Sequence, residues 1–295
     1  MQNEREGHLM TSTSGSTTDR HWTLSGFADE IDPELDVQLA TLAEESLSHL
    51  ELRSAWGVNV ADLDDGQVAA VASRLATAGV TVSAIGSPIG KVPITAPLDD
   101  EVRRLRRVIE VAHRLGTSTV RVFSFFLPRG TDPEVYRDRV LEGMAAFAAV
   151  GEEEGVVLAH ENEKEIYGDR PERCQEIVRT IDSPALRATF DAANFVQCGV
   201  RPFSEAYSLL RPYLHYMQIK DAIWSTGEVV PAGEGDGEVR ETLAALRDSG
   251  FVGVFSLEPH LASAGRFGGF SGPARFHTAV QALTGLLDEL GVTWR

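Results

Sequence analysis

Only two cysteines, Cys174 and Cys198, occur in the 295 residues of the chain. A disulfide framework and a cysteine-rich zinc site are therefore excluded, and a reducing, cytoplasmic compartment is expected. No uncharged apolar run approaches the ~18 residues that signal a bilayer-spanning helix, and the first twenty-odd residues lack the apolar stretch of a signal peptide. Basic residues are also in short supply: 27 against 44 acidic ones give a formal net charge of −17 at pH 7. Such a surface repels phosphate backbones and anionic lipid, so neither nucleic acid nor membrane is expected as a partner. No GxGxxG follows the first apolar segment and no GxSxG elbow is present, which sets aside a dinucleotide-binding sheet and an α/β-hydrolase nucleophile. Cys198 reads as a packed thiol, not a nucleophile.

What is present is globular: 43% of residues are hydrophobic, too many for a disordered chain. Residues 1–21, polar and rich in Ser and Thr, read as a flexible tail, with Met10 as an alternative start. From Trp22 onward, short β-branched segments alternate with stretches of helical period. The predicted strands are 23–27, 49–52, 80–85, 119–123, 156–161, 187–191, 215–219 and 253–258. The clearest helix is 101–115, where Val102, Leu105, Val108, Ile109 and Ala112 form one stripe. Its arginines, Arg103, Arg104, Arg106 and Arg107, lie off that stripe and read as a solvated face. Gly79, Gly116, Gly155 and Gly250 fall where helix C-caps belong. Eight strand–helix units and no dividing linker predict one (β/α)8 TIM barrel over residues 22–295, since ~250 residues is the usual size of that fold.

Chemistry in such barrels sits where strands end. Strand five ends in His160, Glu161, Asn162 and Glu163, and strand six in Asp191 and, three residues on, Asn194. Strand seven carries Gln218, Lys220 and Asp221, and strand eight leads into Glu258 and His260. Clustered carboxylates disfavour one another's ionisation, and a bound cation is the common remedy, so this rim reads as a metal site. The plainer alternative is separate structural roles, because a single carboxylate at a strand end usually caps a helix or faces water. Strand alternation narrows the set. With Glu161 facing the axis, Glu163 does so too, while His160 and Asn162 face outward. With Gln218 inward, Tyr216 and Lys220 join it, and His215 is a packed histidine. His260 shares the parity of Glu258.

These residues carry a resemblance. The segments HENE at 160–163, FDAANF at 190–195, YMQIKD at 216–221 and LEPH at 257–260 resemble the xylose-isomerase-like TIM-barrel family of sugar and sugar-phosphate isomerases and epimerases. So do ADEID at 28–32, SPIGK at 87–91, VRVFSF at 120–125, PAGEGDG at 231–237 and GFSGP at 269–273. The resemblance covers residues 22–290. It implies one divalent metal held by Glu161, Asp191, Glu258 and, where the family usually has His, Gln218. An all-oxygen set favours Mn²⁺, with Mg²⁺ or Co²⁺ as alternatives, and binds more weakly than one with imidazole. Distant relatives include DNA-repair endonucleases, which need several zinc ions and many histidines; this chain has eight.

The family's epimerases imply proton transfer beside a carbonyl through an enediolate, with Glu161 and Glu258 as the acid–base pair and Asp191 as a pure ligand. Asn194 stands where those epimerases carry a substrate-binding His. Glu163, His260, Lys220, Lys91 and Arg121 are further candidate substrate contacts, Arg121 being equally suited to an ion pair. The glycine-rich loop at 233–237 reads as a mobile lid or a simple turn. One alternative is a lyase on the same barrel, dehydrating a keto-inositol or cleaving a 3-keto-glycoside, including carbon-linked ones. Another is a non-catalytic barrel that binds a sugar or a partner subunit. The expected partner is a small sugar or sugar derivative, in a homo-oligomer or, alternatively, a hetero-subunit assembly. Trp56, Trp224 and the aromatics of 267–270 are expected at the surface.

Overall fold

The apolar segments form eight strands: β1 (Thr23–Gly26), β2 (His49–Leu52), β3 (Thr81–Ile85), β4 (Thr119–Val122), β5 (Val157–Glu161), β6 (Leu186–Asp191), β7 (Leu214–Ile219) and β8 (Val254–Leu257). The computed structural model describes residues 21–264 and 269–295, so the predicted tail, apart from His21, and Phe267 lie outside the described residues. All neighbouring strands run parallel in the order β1-β8-β7-β6-β5-β4-β3-β2. β1 and β2, the two ends of that ladder, lie side by side and nearly close the ring, giving a single (β/α)8 barrel.

The outer layer comprises α1 (Leu35–Glu44), α2 (Asp65–Ala78), α3 (Leu98–Arg114), α4 (Arg137–Glu154), α5 (Pro171–Ile181), the short α6 (Ala192–Gln197), α7 (Val239–Asp248) and α8 (Pro273–Leu290). Among the described residues, no helix is long and apolar enough to cross a membrane. Gly79, Gly116, Gly155 and Gly250 all take positive φ, of 67° to 77°, at helix ends. α3 begins three residues before the predicted start. Asp99, Asp100 and Glu101 occupy its first turn, where acidic groups favour the positive end of the helix dipole. Its arginines are paired on the outside, Arg106 with Glu153 and Glu154, and Arg107 with Asp65 and Glu110.

Two layers of different character fill the barrel. Leu24, Leu50, Leu52, Val120, Leu158 and Phe190 alternate outward into the core shared with the helices, each nearly or fully buried. Burying such side chains contributes ~1.5–3 kcal/mol apiece. The inward side mixes polar groups with a small apolar cluster of Ala84, Ala159, Tyr216 and Val254. Ser83 Oγ lies 2.6 Å from Ser25 Oγ and 2.8 Å from the Tyr216 hydroxyl, joining β3 to β1 and β7. Gln218 on β7 donates to Glu51 on β2. β2 and β7 are not neighbours in the ladder, so this contact crosses the interior.

One glycine anchors the loop that carries Lys91. Gly90 has φ +86°, and a Cβ placed there would stand 1.9 Å from the Phe123 carbonyl oxygen. The loop is held so close because Phe123 N–H donates to the Ile89 carbonyl and Phe125 N–H to that of Gly90. Gly90→Ala is therefore expected to destabilise the protein by more than about 3 kcal/mol, combining left-handed strain with a backbone clash. A urea unfolding midpoint unchanged from wild type would show that the loop yields instead.

Candidate active site

Glu161 ends β5, Asp191 ends β6 and Glu258 follows β8, and one carboxylate oxygen of each lies within 4.8 Å of the other two. All three are buried. Asn162 helps set this rim: its amide donates to the Asp191 carbonyl and accepts the Asp191 N–H, both at 2.9 Å. Asp191 Oδ1 caps α6 by accepting the Asn194 N–H at 2.8 Å. Asn194 in turn donates to Glu161 Oε1 at 3.2 Å.

Cations from three other strands enter the cluster. Lys220 Nζ lies 2.8 Å from Glu258 Oε2 and 3.1 Å from Asp191 Oδ2. Arg121 Nη1 sits 3.2 Å from Glu161 Oε2 and 3.7 Å from Glu258 Oε1. Arg53, from the end of β2, donates to Glu258 at 2.9 Å and to Asp29 at 2.8 Å, with Glu30 at 3.6 Å. Burial pushes the Glu161 carboxyl up to about 8, against the pull of Arg121. Burial would also raise Glu258, but Lys220, His260, Arg121 and Arg53 together hold it well below the usual carboxylate range. Asp191 is pushed up to about 6 by burial, with Lys220 opposing.

The donor set suits a divalent cation. Glu161, Asp191 and Glu258 present convergent buried oxygens, and the buried Gln218 Oε1 accepts no hydrogen bond, so further positive charge would be welcome there. Lys220 and Arg121 already supply part of that charge, so an ion on these oxygens would share them with the ammonium. Glu30, Glu258 and His260 form a second convergent group, but Arg53 already approaches both of its carboxylates.

The mouth is built from the remaining expected residues. Lys91, buried over the Phe123 ring, pairs with Glu163 at 3.1 Å. Burial would raise Glu163, but Lys91 and Lys220 draw it below its ordinary value. Lys164 donates to Gln197. His260, at φ +49°, places Nδ1 2.6 Å from Glu30 Oε1 and Nε2 3.9 Å from Glu258. Glu30 also accepts the His260 N–H and the Ser271 hydroxyl, fixing the loop after β8. Lys91, Arg121, Glu161, Glu163, Asn194, Lys220, Glu258 and His260 all line one cavity of about 20 Å³, room for a single water.

The structure corrects the surface placement of Trp56 and decides among the other expectations. The glycine-rich loop at 233–237 is pinned. Asp221 accepts N–H bonds from Gly233, Gly235 and Gly237 at 2.8–3.1 Å, so the loop is a fixed turn into α7. Trp56 is half-buried beneath Arg74, whereas Trp224 and Phe270 are exposed as expected. His215 lies at the amino end of β7, where its ring meets Thr119. His160 turns outward and is held near pKa 4 by burial. Asp29, Glu30, Glu51 and Arg53 were missed as site residues. The signal was available: Glu51-Leu52-Arg53 at the end of β2 passes the same alternation test that singled out β5 to β8.

Comparison with known proteins places the fold. The model of the xylose isomerase-like TIM barrel family matches residues 41–283. The chain is 31% identical over 185 residues to 2-epi-5-epi-valiolone 7-phosphate 2-epimerase of an Actinoplanes species, a match covering 62% of this chain and 65% of the relative. The chain thus spans just under two thirds of that relative's length. A D-tagatose 3-epimerase-like protein superposes with a TM-score of 0.74 at 18% identity, over 91% of this chain and 98% of the other. The IOLI protein, solved with a zinc atom, superposes with a TM-score of 0.70 at 16% identity, over 91% and 97%. At such identities these two likenesses establish the fold alone. With most of its length matched by the family model, the chain belongs to the xylose isomerase-like TIM barrel family.

Proposed function

We propose that the protein is a divalent-metal-dependent sugar or sugar-phosphate isomerase/epimerase that moves a proton at the carbon beside a carbonyl. The observation that carries this reading is the convergence of Glu161 and Glu258 in one buried pocket, with Arg121 paired to both. The Actinoplanes relative, whose name denotes inversion at one carbon of a phosphorylated ketone, supports it.

Glu161 and Glu258 are the acid–base pair: one takes the proton from carbon, the other returns it on the opposite face. Lys220 and Arg121 bring positive charge to the oxygen on which negative charge develops as the enediolate forms. Asn194 and His260 hydrogen-bond substrate hydroxyls, and Glu163, Lys91 and Lys220 bound the mouth. Glu161, Asp191, Gln218 and Glu258 would hold the metal, Mn²⁺ before Mg²⁺ or Co²⁺, which supplies Lewis-acid polarisation of the carbonyl. The setting is cytoplasmic, and the protein works on a small sugar derivative as a homo-oligomer or within a hetero-subunit assembly.

The test is incubation in D₂O with ketoses, ketose phosphates and keto-cyclitol phosphates, after chelation and again with Mn²⁺, Mg²⁺, Co²⁺ or Zn²⁺ restored. Expected are metal-dependent deuterium entry beside the carbonyl and an epimer or isomer as product. A product short by the mass of water, or a cleaved glycoside, would instead identify a lyase. No exchange and no bound metal would leave a non-catalytic binding barrel.

A further inference from the structure

We infer that Glu51 is a positioning residue that turns the Gln218 amide so that its oxygen, not its nitrogen, serves the carboxylate cluster. The inference rests on the metal reading proposed above and deepens it.

Glu51 sits on β2 just past a register shift between Leu50 and Glu51 and is 1% exposed. Gln218 Nε2 contacts both of its oxygens, at 2.9 and 3.1 Å. Both contacts are made by the amide nitrogen, and a pair of accepting oxygens selects the NH₂ end of an amide. With the nitrogen committed, Oε1 must turn away from Glu51. It is buried and has no hydrogen-bond partner. Gln218 lies directly across from Asp191 in the β6–β7 register, so its residue position is beside a cluster carboxylate. A free amide can rotate and present either end, but this one is held. The arrangement does for an amide ligand what a hydrogen-bonded carboxylate does for a metal-bound histidine.

The test is calorimetric titration of Mn²⁺ into the chelator-stripped full chain, with circular dichroism and urea unfolding as the fold control. Glu51→Leu is expected to lower Mn²⁺ affinity by about 10- to 100-fold, the usual cost of losing a residue that orients a ligand. Glu51→Gln, which can hold the amide either way round, loses several-fold. The exchange Glu51→Gln with Gln218→Glu keeps the charge and reverses donor and acceptor, so it regains most of the loss. Gln218→Glu alone accounts for the ligand charge that a carboxylate at 218 brings, and recovery in the exchange beyond that single variant is what a merely structural role would not produce; Glu51→Gln and the exchange remain informative if Glu51→Leu does not fold. Mn²⁺ binding as tight in both Glu51 variants as in wild type overturns the positioning role while leaving the metal site standing. An exchange no better than Glu51→Gln or Gln218→Glu alone also overturns it. No Mn²⁺ binding by the wild type removes the metal from the proposed function and this inference with it.

Discussion

Glu161→Gln lowers kcat by about 10³-fold and leaves the protein folded, because the amide keeps the carboxylate's shape and loses only the transferable proton, a loss in the 10²- to 10⁴-fold range. The Asn194 contact falls on Oε1 and survives the change with the amide oxygen placed there. Stability falls by about 1–3 kcal/mol: burial opposes the charge that is removed, but the amide nitrogen then faces the Arg121 guanidinium with which Oε2 pairs at 3.2 Å. Glu258→Gln lowers kcat by a similar factor, but its structural consequence differs. It strips the common partner of Lys220, Arg53 and Arg121 and is expected to cost roughly 3 kcal/mol as well. Steady-state rates with the ketose or keto-cyclitol that proves to turn over, alongside urea unfolding, separate the two effects. A near-normal rate for either variant removes that residue from the acid–base pair.

Lys220→Met is the second large effect. The ammonium stands between Asp191 and Glu258 at 3.1 and 2.8 Å, and all three side chains are buried. Without it, two carboxylates face one another in a low-dielectric site with only the guanidinium groups beside them. Removing one partner of a buried pair costs about 3–5 kcal/mol, which should appear as an earlier urea midpoint at unchanged slope. Part of the loss should return when Mn²⁺ is added, because a divalent ion supplies the missing charge to the same oxygens. A variant as stable as wild type without metal would mean that the ammonium contributes no net pairing there.

The alternation of β-branched segments with helical stretches made all eight strands legible within two residues at each end, because a barrel strand is defined by local pattern. Glu161, Asp191 and Glu258 were legible for the same reason: each sits at a strand end, and the ring of strands brings those ends together. What was not legible is contact across long separations. Arg53 meets Glu258 from 205 positions away and Glu30 holds His260 from 230. No local period announces either pairing. The loop at 233–237 misled for a related reason: five residues rich in glycine read as mobile, and the carboxylate that fixes them, Asp221, lies at least 12 positions upstream. α3 was started late because its first acidic turn carries no apolar stripe.

The barrel's interior has a bearing on how such a chain can change over generations. Aliphatic fillings are interchangeable by volume, so a lost methyl on one strand is readily offset on another. Directional pairs are not. Tyr216 with Ser83 and Ser25, and Gln218 with Glu51, tie residues from the first third of the chain to β7, and a donor altered alone strands its acceptor in a dry interior. Substitutions at positions 51 and 218 should therefore arrive together in lineages that keep this interior. Fragments exchanged between relatives should tolerate a crossover between β2 and β7 only when the two parents carry the same residues at both members of each pair.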